Sequence, residues 1–104
     1  MDNEDWSTYM RISLDSQFII YGASVRGKEY YKIIVQNNMK VLAFIDKDAS
    51  KIQYVNNIPV YELMDLEQIP ISKQEVILVI SISNVFEHYD LAEKLNNMGF
   101  CYIV

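Results

Sequence analysis

The sequence predicts an open, doubly wound α/β domain, with about five parallel strands in the order 3-2-1-4-5 between two layers of helices. Three observations lead there. Continuous apolar runs (17–21, 40–45 and 76–80) suit strands covered on both faces. Amphipathic stretches with helical spacing separate them, and this alternation implies parallel pairing through right-handed crossovers. Gly22 and Gly27 punctuate the first strand–helix junction.

The first strand is Gln17–Tyr21, stopped by Gly22. Residues 26–38 carry Tyr30, Tyr31, Ile33, Ile34 and Val35 among Lys28, Glu29, Lys32 and Gln36, a helix with one wet face. Asn37 and Asn38 suit its C-terminus, since Asn tolerates the left-handed conformation. Lys40–Ile45 is the second strand, and 49–57 reads as a polar turn region. Ile58–Tyr61 is a short strand whose Pro59 points to an edge or a strand start. Leu63, Leu66 and Ile69 mark a short helix over 62–69, stopped by Pro70. Val76–Ile80 is the strongest strand. Asn84 followed by Glu87 opens a helix to about Met98, with Gly99 as its C-terminal signal. Residues 100–104 form the last strand, and Cys101 is expected to fill core space there.

Residues 1–16 form a separate amphipathic arm or helix, with Trp6, Tyr9, Met10 and Leu14 at helical spacing. Its apolar stripe must pack on this domain, residues 17–104, or on a partner. The chain ends on an apolar strand without a cap, the pattern of a piece of a longer protein.

With 104 residues there is room for one modest core. Hydrophobic residues at 51% and charged residues at 22% exclude disorder. A net charge of −5 repels phosphate backbones, which argues against nucleic-acid binding. No window is long and apolar enough for a membrane span, and the acidic start Met1–Asp5 does not resemble a signal peptide. One Cys and one His provide neither a disulfide nor a Cys- or His-based metal site, and a reducing cytoplasm is the default compartment. His88 has no second His near it and reads as a surface residue.

The chemistry concentrates in Gly22-Ala23-Ser24-Val25-Arg26-Gly27. This is the dinucleotide fingerprint G-x-G-x-x-G with Ser24 in the middle place. Gly22 lets the chain turn out of the strand, and Gly27 lets the helix approach the sheet. The helix-opening amides favour an anion, and the Ser24 hydroxyl can bond a phosphate oxygen. Arg26 can neutralise phosphate charge. Asp46 stands 19 residues after Gly27, at the end of strand two, where the fingerprint places an acid for ribose hydroxyls. An acid there also disfavours a 2′-phosphate, and so NADP. Ser81, Ser83 and Asn84 fall at the carboxyl end of the fourth strand, beside the first. They either contact a ligand at that switch point or cap the following helix. The glycines, likewise, either cradle a ligand or serve only the turn and the helix contact. Neither a Ser-His-Asp arrangement nor a P-loop lysine is present. A Tyr-x-x-x-Lys pair is also missing: Tyr30 is followed four places on by Ile34, and Tyr89 by Glu93.

Residues 19–28, 41–48, 56–61 and 76–82 together resemble the Rossmann-like N-terminal nucleotide-binding domain of bacterial sugar O-acyltransferases and N-acetyltransferases. They are also similar to the leading domain of polysaccharide-biosynthesis nucleotide-sugar dehydratases and to CoA-binding Rossmann domains. The resemblance implies a Rossmann-like three-layer α/β/α fold. It implies a diphosphate near Gly22, Ala23, Ser24, Val25, Arg26 and Gly27, a ribose or base near Asp46 and Lys47, and the ligand's far side near Ser81 and Ser83. UDP-sugar or NAD is the ligand expected, with CoA a further candidate. Asn57 stands where the pattern has glycine before Ile-Pro. In the acyltransferase relatives the chemistry resides in a following β-helix, whose hexapeptide repeats are not in this sequence.

The expectation is therefore a non-catalytic nucleotide-binding module of glycan biosynthesis, with a downstream catalytic domain or a homo-oligomer as its setting. The rivals are a degenerate Rossmann domain for protein interaction or dimerisation, and an NAD-dependent oxidoreductase.

Overall fold

The computed structural model describes residues 16–104. The expected 1–16 arm therefore lies, apart from Ser16, outside the described residues. Chain order gives β1 (Gln17–Tyr21), α1 (Val25–Gln36), β2 (Lys40–Ile45), the single turn α2 (Ala49–Ile52), β3 (Tyr54–Val55) and β4 (Ile58–Tyr61). A 3₁₀ turn (Leu63–Glu67), β5 (Ile77–Ile80), α3 (Val85–Asn97) and β6 (Tyr102–Ile103) complete it.

The sheet runs β3-β4-β2-β1-β5-β6. Its five parallel strands lie in the expected order, because β4, β5 and β6 are the third, fourth and fifth strands of the sequence reading. The detail that differs is β3, which adds a sixth, antiparallel strand at the β4 edge. It sits in the segment expected to be turn alone. Asn56 and Asn57 have φ of 51° and 68°, the left-handed pair that closes a two-residue hairpin. Asn57 thus adopts the backbone for which glycine is the usual choice.

Side chains of β1 alternate between two cores, as a strand's period of two requires. Phe18 and Ile20 pack with Ile34 of α1 on one face. Ile19 packs with Leu91 and Leu95 of α3 on the other. β5 is buried along its whole length, as a central parallel strand must be. The β1–β2 register slips between Phe18 and Ile19, so Phe18 faces Val41 and Ile19 faces Ala43, which leaves Leu42 as an extra residue on β2.

Two further expectations change. The 62–69 helix is a short 3₁₀ turn that buries Leu66. Its backbone is closed by a reciprocal cap between Glu62 and Asp65. The last strand is only two residues long, although Val104 still exchanges bonds with Leu78 and Ile80. Cys101 precedes it and is exposed, so Phe100, fully buried, fills the core there instead. The helix ends behave as read. Asn38 and Gly99 take positive φ, and Asn84 Oδ1 accepts from the amides of Phe86 and Glu87.

Candidate functional site

α1 and α3 leave the carboxyl ends of adjacent strands and cover opposite faces. The connections diverge between β1 and β5, and this is where open α/β sheets bind ligands. Gly22 turns the chain out of β1 at φ 109° while its amide donates to the Ile45 carbonyl at 2.7 Å. Gly27, buried in the first turns of α1, presses directly on Gly22. A Cβ at position 27 would overlap the Gly22 carbonyl oxygen. Ala23 is buried between them.

Two side chains lock this loop. Asp46 accepts the Ala23 amide on Oδ2 and the Asp48 amide on Oδ1, both at 2.9 Å. Ser81, buried, donates its hydroxyl to the Tyr21 carbonyl at 2.7 Å. The Ser81 amide donates to the same carbonyl. Hydrogen bonds thus tie Ala23 to Asp46 and Ser81 to the Tyr21–Gly22 backbone, with Gly27 packed directly on Gly22. Ser24, Val25, Arg26, Lys47 and Ser83 are exposed. Ser24 is the N-cap of α1 in extended conformation, but its side chain makes no capping bond, and the first turn holds no acid. The opening amides of that turn therefore keep their partial positive charge for an incoming acceptor. Asn84 is used as the cap of α3.

Tyr21 and the apolar residues at the start of α3 were not named as site residues from the sequence, and Glu87 was read only as part of the helix start. Tyr21 is half-buried, and burial, followed by the carboxylates of Asp46 and Glu87, pushes its phenol above the ordinary 10.0. Its place immediately before Gly22, on the opposite face from Ile20, was the available signal. A raised value holds the folded protein neutral after the unfolded chain ionises. The associated stability is complete below pH 10.0 and is lost as pH rises from there through the folded value. Tyr21→Phe is therefore expected to flatten the alkaline fall in the urea midpoint between about pH 9 and 11. A fall identical to that of the native chain would contradict the assignment. Val25, Val85, Phe86 and Tyr89, in the opening turns of α1 and α3, are 60–78% exposed.

Among the described residues no group of His, Cys, Asp and Glu is placed to hold a metal ion. Among them, too, no helix is long and apolar enough to cross a membrane.

The model of the C2185-like N-terminal family matches residues 14–100. The chain belongs to the C2185-like N-terminal family. No curated protein matches this C2185-like chain. Among solved structures it is similar to UDP-D-quinovosamine 4-dehydrogenase from Vibrio fischeri, at 23% identity and a TM-score of 0.65, over 86% of this chain and 78% of that one. At that identity the likeness establishes a shared fold, and it agrees with the Rossmann-like layout of the C2185-like domain.

Proposed function

We propose that the domain binds a nucleoside diphosphate, with a UDP-sugar as the preferred ligand, as the nucleotide-binding part of a glycan-modifying system. The observation that carries this reading is the locked Gly22–Gly27 loop, which delivers the uncapped first turn of α1 to the switch point. The diphosphate would rest on the amides of Ser24, Val25 and Arg26, with the Arg26 guanidinium beside it. Asp46 retains lone pairs for ribose hydroxyls alongside Lys47, and Ser81 and Ser83 border the far side. Phe86 offers an exposed face for a base. The name of the Vibrio fischeri enzyme, which acts on a UDP-linked sugar, supports the choice of UDP over NAD and CoA.

Isothermal titration of the full chain with UDP, a UDP-sugar, NAD and CoA tests it. A UDP ligand should bind below millimolar, and Arg26→Ala should weaken it about tenfold, or about 1.4 kcal/mol. Absence of binding by all four overturns the reading. Tightest binding by NAD or CoA would overturn the choice of UDP.

The apolar group Val25, Val85, Phe86 and Tyr89 favours one second reading, a self-association surface. A dimeric native mass that Phe86→Ser converts to monomer, without nucleotide binding, would select it.

A further inference from the structure

The carboxyl edge of the sheet is unevenly charged. Its cations, Arg26 and Lys47, stand in the first turn of α1 and in the β2–α2 connection. Residues 81–88, which lead from β5 into α3, hold one acid, Glu87, and no Lys or Arg. His88, the next residue, lies with its ring against Tyr89. The fold places Glu87 at the site. Its amide is held by Asn84 Oδ1 at 3.0 Å, and it stands one turn before Leu91 on the same helical face. Leu91 belongs to the core cluster that Tyr21 joins from the end of β1. Asp46 follows β2, the other neighbour of β1. Tyr21 therefore stands between two carboxylates. Burial, followed by those carboxylates, raises its phenol above the ordinary value, a sign of a negative field at this point. Among the described residues its hydroxyl has no hydrogen-bond partner.

Resting on the nucleotide-binding reading above, we propose that Tyr21 and Glu87 select the ligand by the charge of the sugar beyond its diphosphate. Tyr21 donates its hydroxyl to a sugar oxygen, and Glu87 accepts from a sugar hydroxyl or amine. A neutral or amino sugar satisfies both groups. A uronic acid sugar brings its carboxylate against Glu87 and Asp46, with no cation among residues 81–88 to balance it. Such a like-charge contact is a common device for rejecting a wrong ligand. The diphosphate keeps its own partners on the opposite side of the site, at the α1 amides and Arg26. One molecule therefore meets a positive and a negative wall, and only a ligand with its anionic charge confined to the diphosphate suits both.

Titration of the full chain at pH 8 with UDP, UDP-glucose, UDP-glucosamine and UDP-glucuronate tests this. UDP-glucuronate should bind about tenfold more weakly than UDP-glucose, the size of one like-charge contact near a protein surface. UDP-glucosamine should bind at least as tightly as UDP-glucose. Added salt should narrow the gap, since a purely steric rejection is not screened. Glu87→Gln should also narrow it. Glu93→Gln, which makes the same charge change at an exposed position about 9 Å further along α3, should not. Tyr21→Phe should weaken UDP-glucose about threefold to tenfold and leave UDP itself unchanged. Far-UV circular dichroism confirms the fold of each variant. If UDP does not bind, the nucleotide reading falls and this proposal with it. If UDP binds but UDP-glucuronate binds as tightly as UDP-glucose, or the gap is the same in Glu87→Gln, this proposal alone is overturned.

Discussion

Gly27→Ala is expected to be the most damaging single-methyl change in the domain, costing about 3 kcal/mol or more, enough to leave much of the chain unfolded at ordinary temperature. The added Cβ would overlap the Gly22 carbonyl oxygen, with the carbonyl carbon only 2.9 Å away and Ser81 Oγ at 3.4 Å. Relief by rotamer change is denied, because the obstructing atoms belong to backbone. That backbone is itself held from both sides. The Gly22 amide is bonded to Ile45 and the preceding carbonyl to Ser81. α1 would have to lift from the sheet, pulling Ile34 out of the core it shares with Phe18 and Phe44. Urea denaturation read by circular dichroism measures the loss. A midpoint within error of the native one would show that the close approach is not obligatory. Ser24→Gly, by contrast, alters an exposed residue whose side chain makes no capping bond, and should leave the midpoint nearly unchanged.

That contrast shows what could be read in advance. Glycine spacing after an apolar run reports a backbone requirement, and such requirements are local, so Gly22 and Gly27 were legible. So were the buried strands and the Asn84 cap, each decided within a few residues. β3 was not, because two residues of polar surroundings carry no hydrophobic pattern, and their pairing depends on the Asn56–Asn57 backbone. Ser81 was placed at the right end of its strand, but its hydroxyl is engaged by a carbonyl 60 residues earlier. Local spacing cannot distinguish that bond from a ligand contact. Tyr21 escaped because the carboxylates near it, Asp46 just after β2 and Glu87 in α3, meet it only in the fold. Cys101 was misplaced because the last strand is shorter than its apolar composition suggests.

Asp46 holds two backbone amides whatever it does for a ligand, and Asp46→Ala should expose that structural duty. The Ala23 amide, in a residue only 4% exposed, would lose its acceptor, and the Asp48 amide would lose its own. A buried donor left without a partner costs about 1–3 kcal/mol, and bonds to a charged acceptor lie at the upper end. The second amide is exposed and can turn to water, so the total should be about 2–3 kcal/mol, or roughly 10–20 °C in Tm for a domain of this size. Asp46→Asn keeps one acceptor oxygen and should fall between the two. A carboxylate that served only ribose hydroxyls would give the opposite pattern, an unchanged Tm with weakened nucleotide binding. Thermal unfolding and titration of the same variants therefore separate the roles. Because the loop that presents the α1 amides is tied down through Ala23, loss of the tie should weaken diphosphate binding as well. Asp46→Asn should then retain more affinity than Asp46→Ala, in step with its smaller loss of stability.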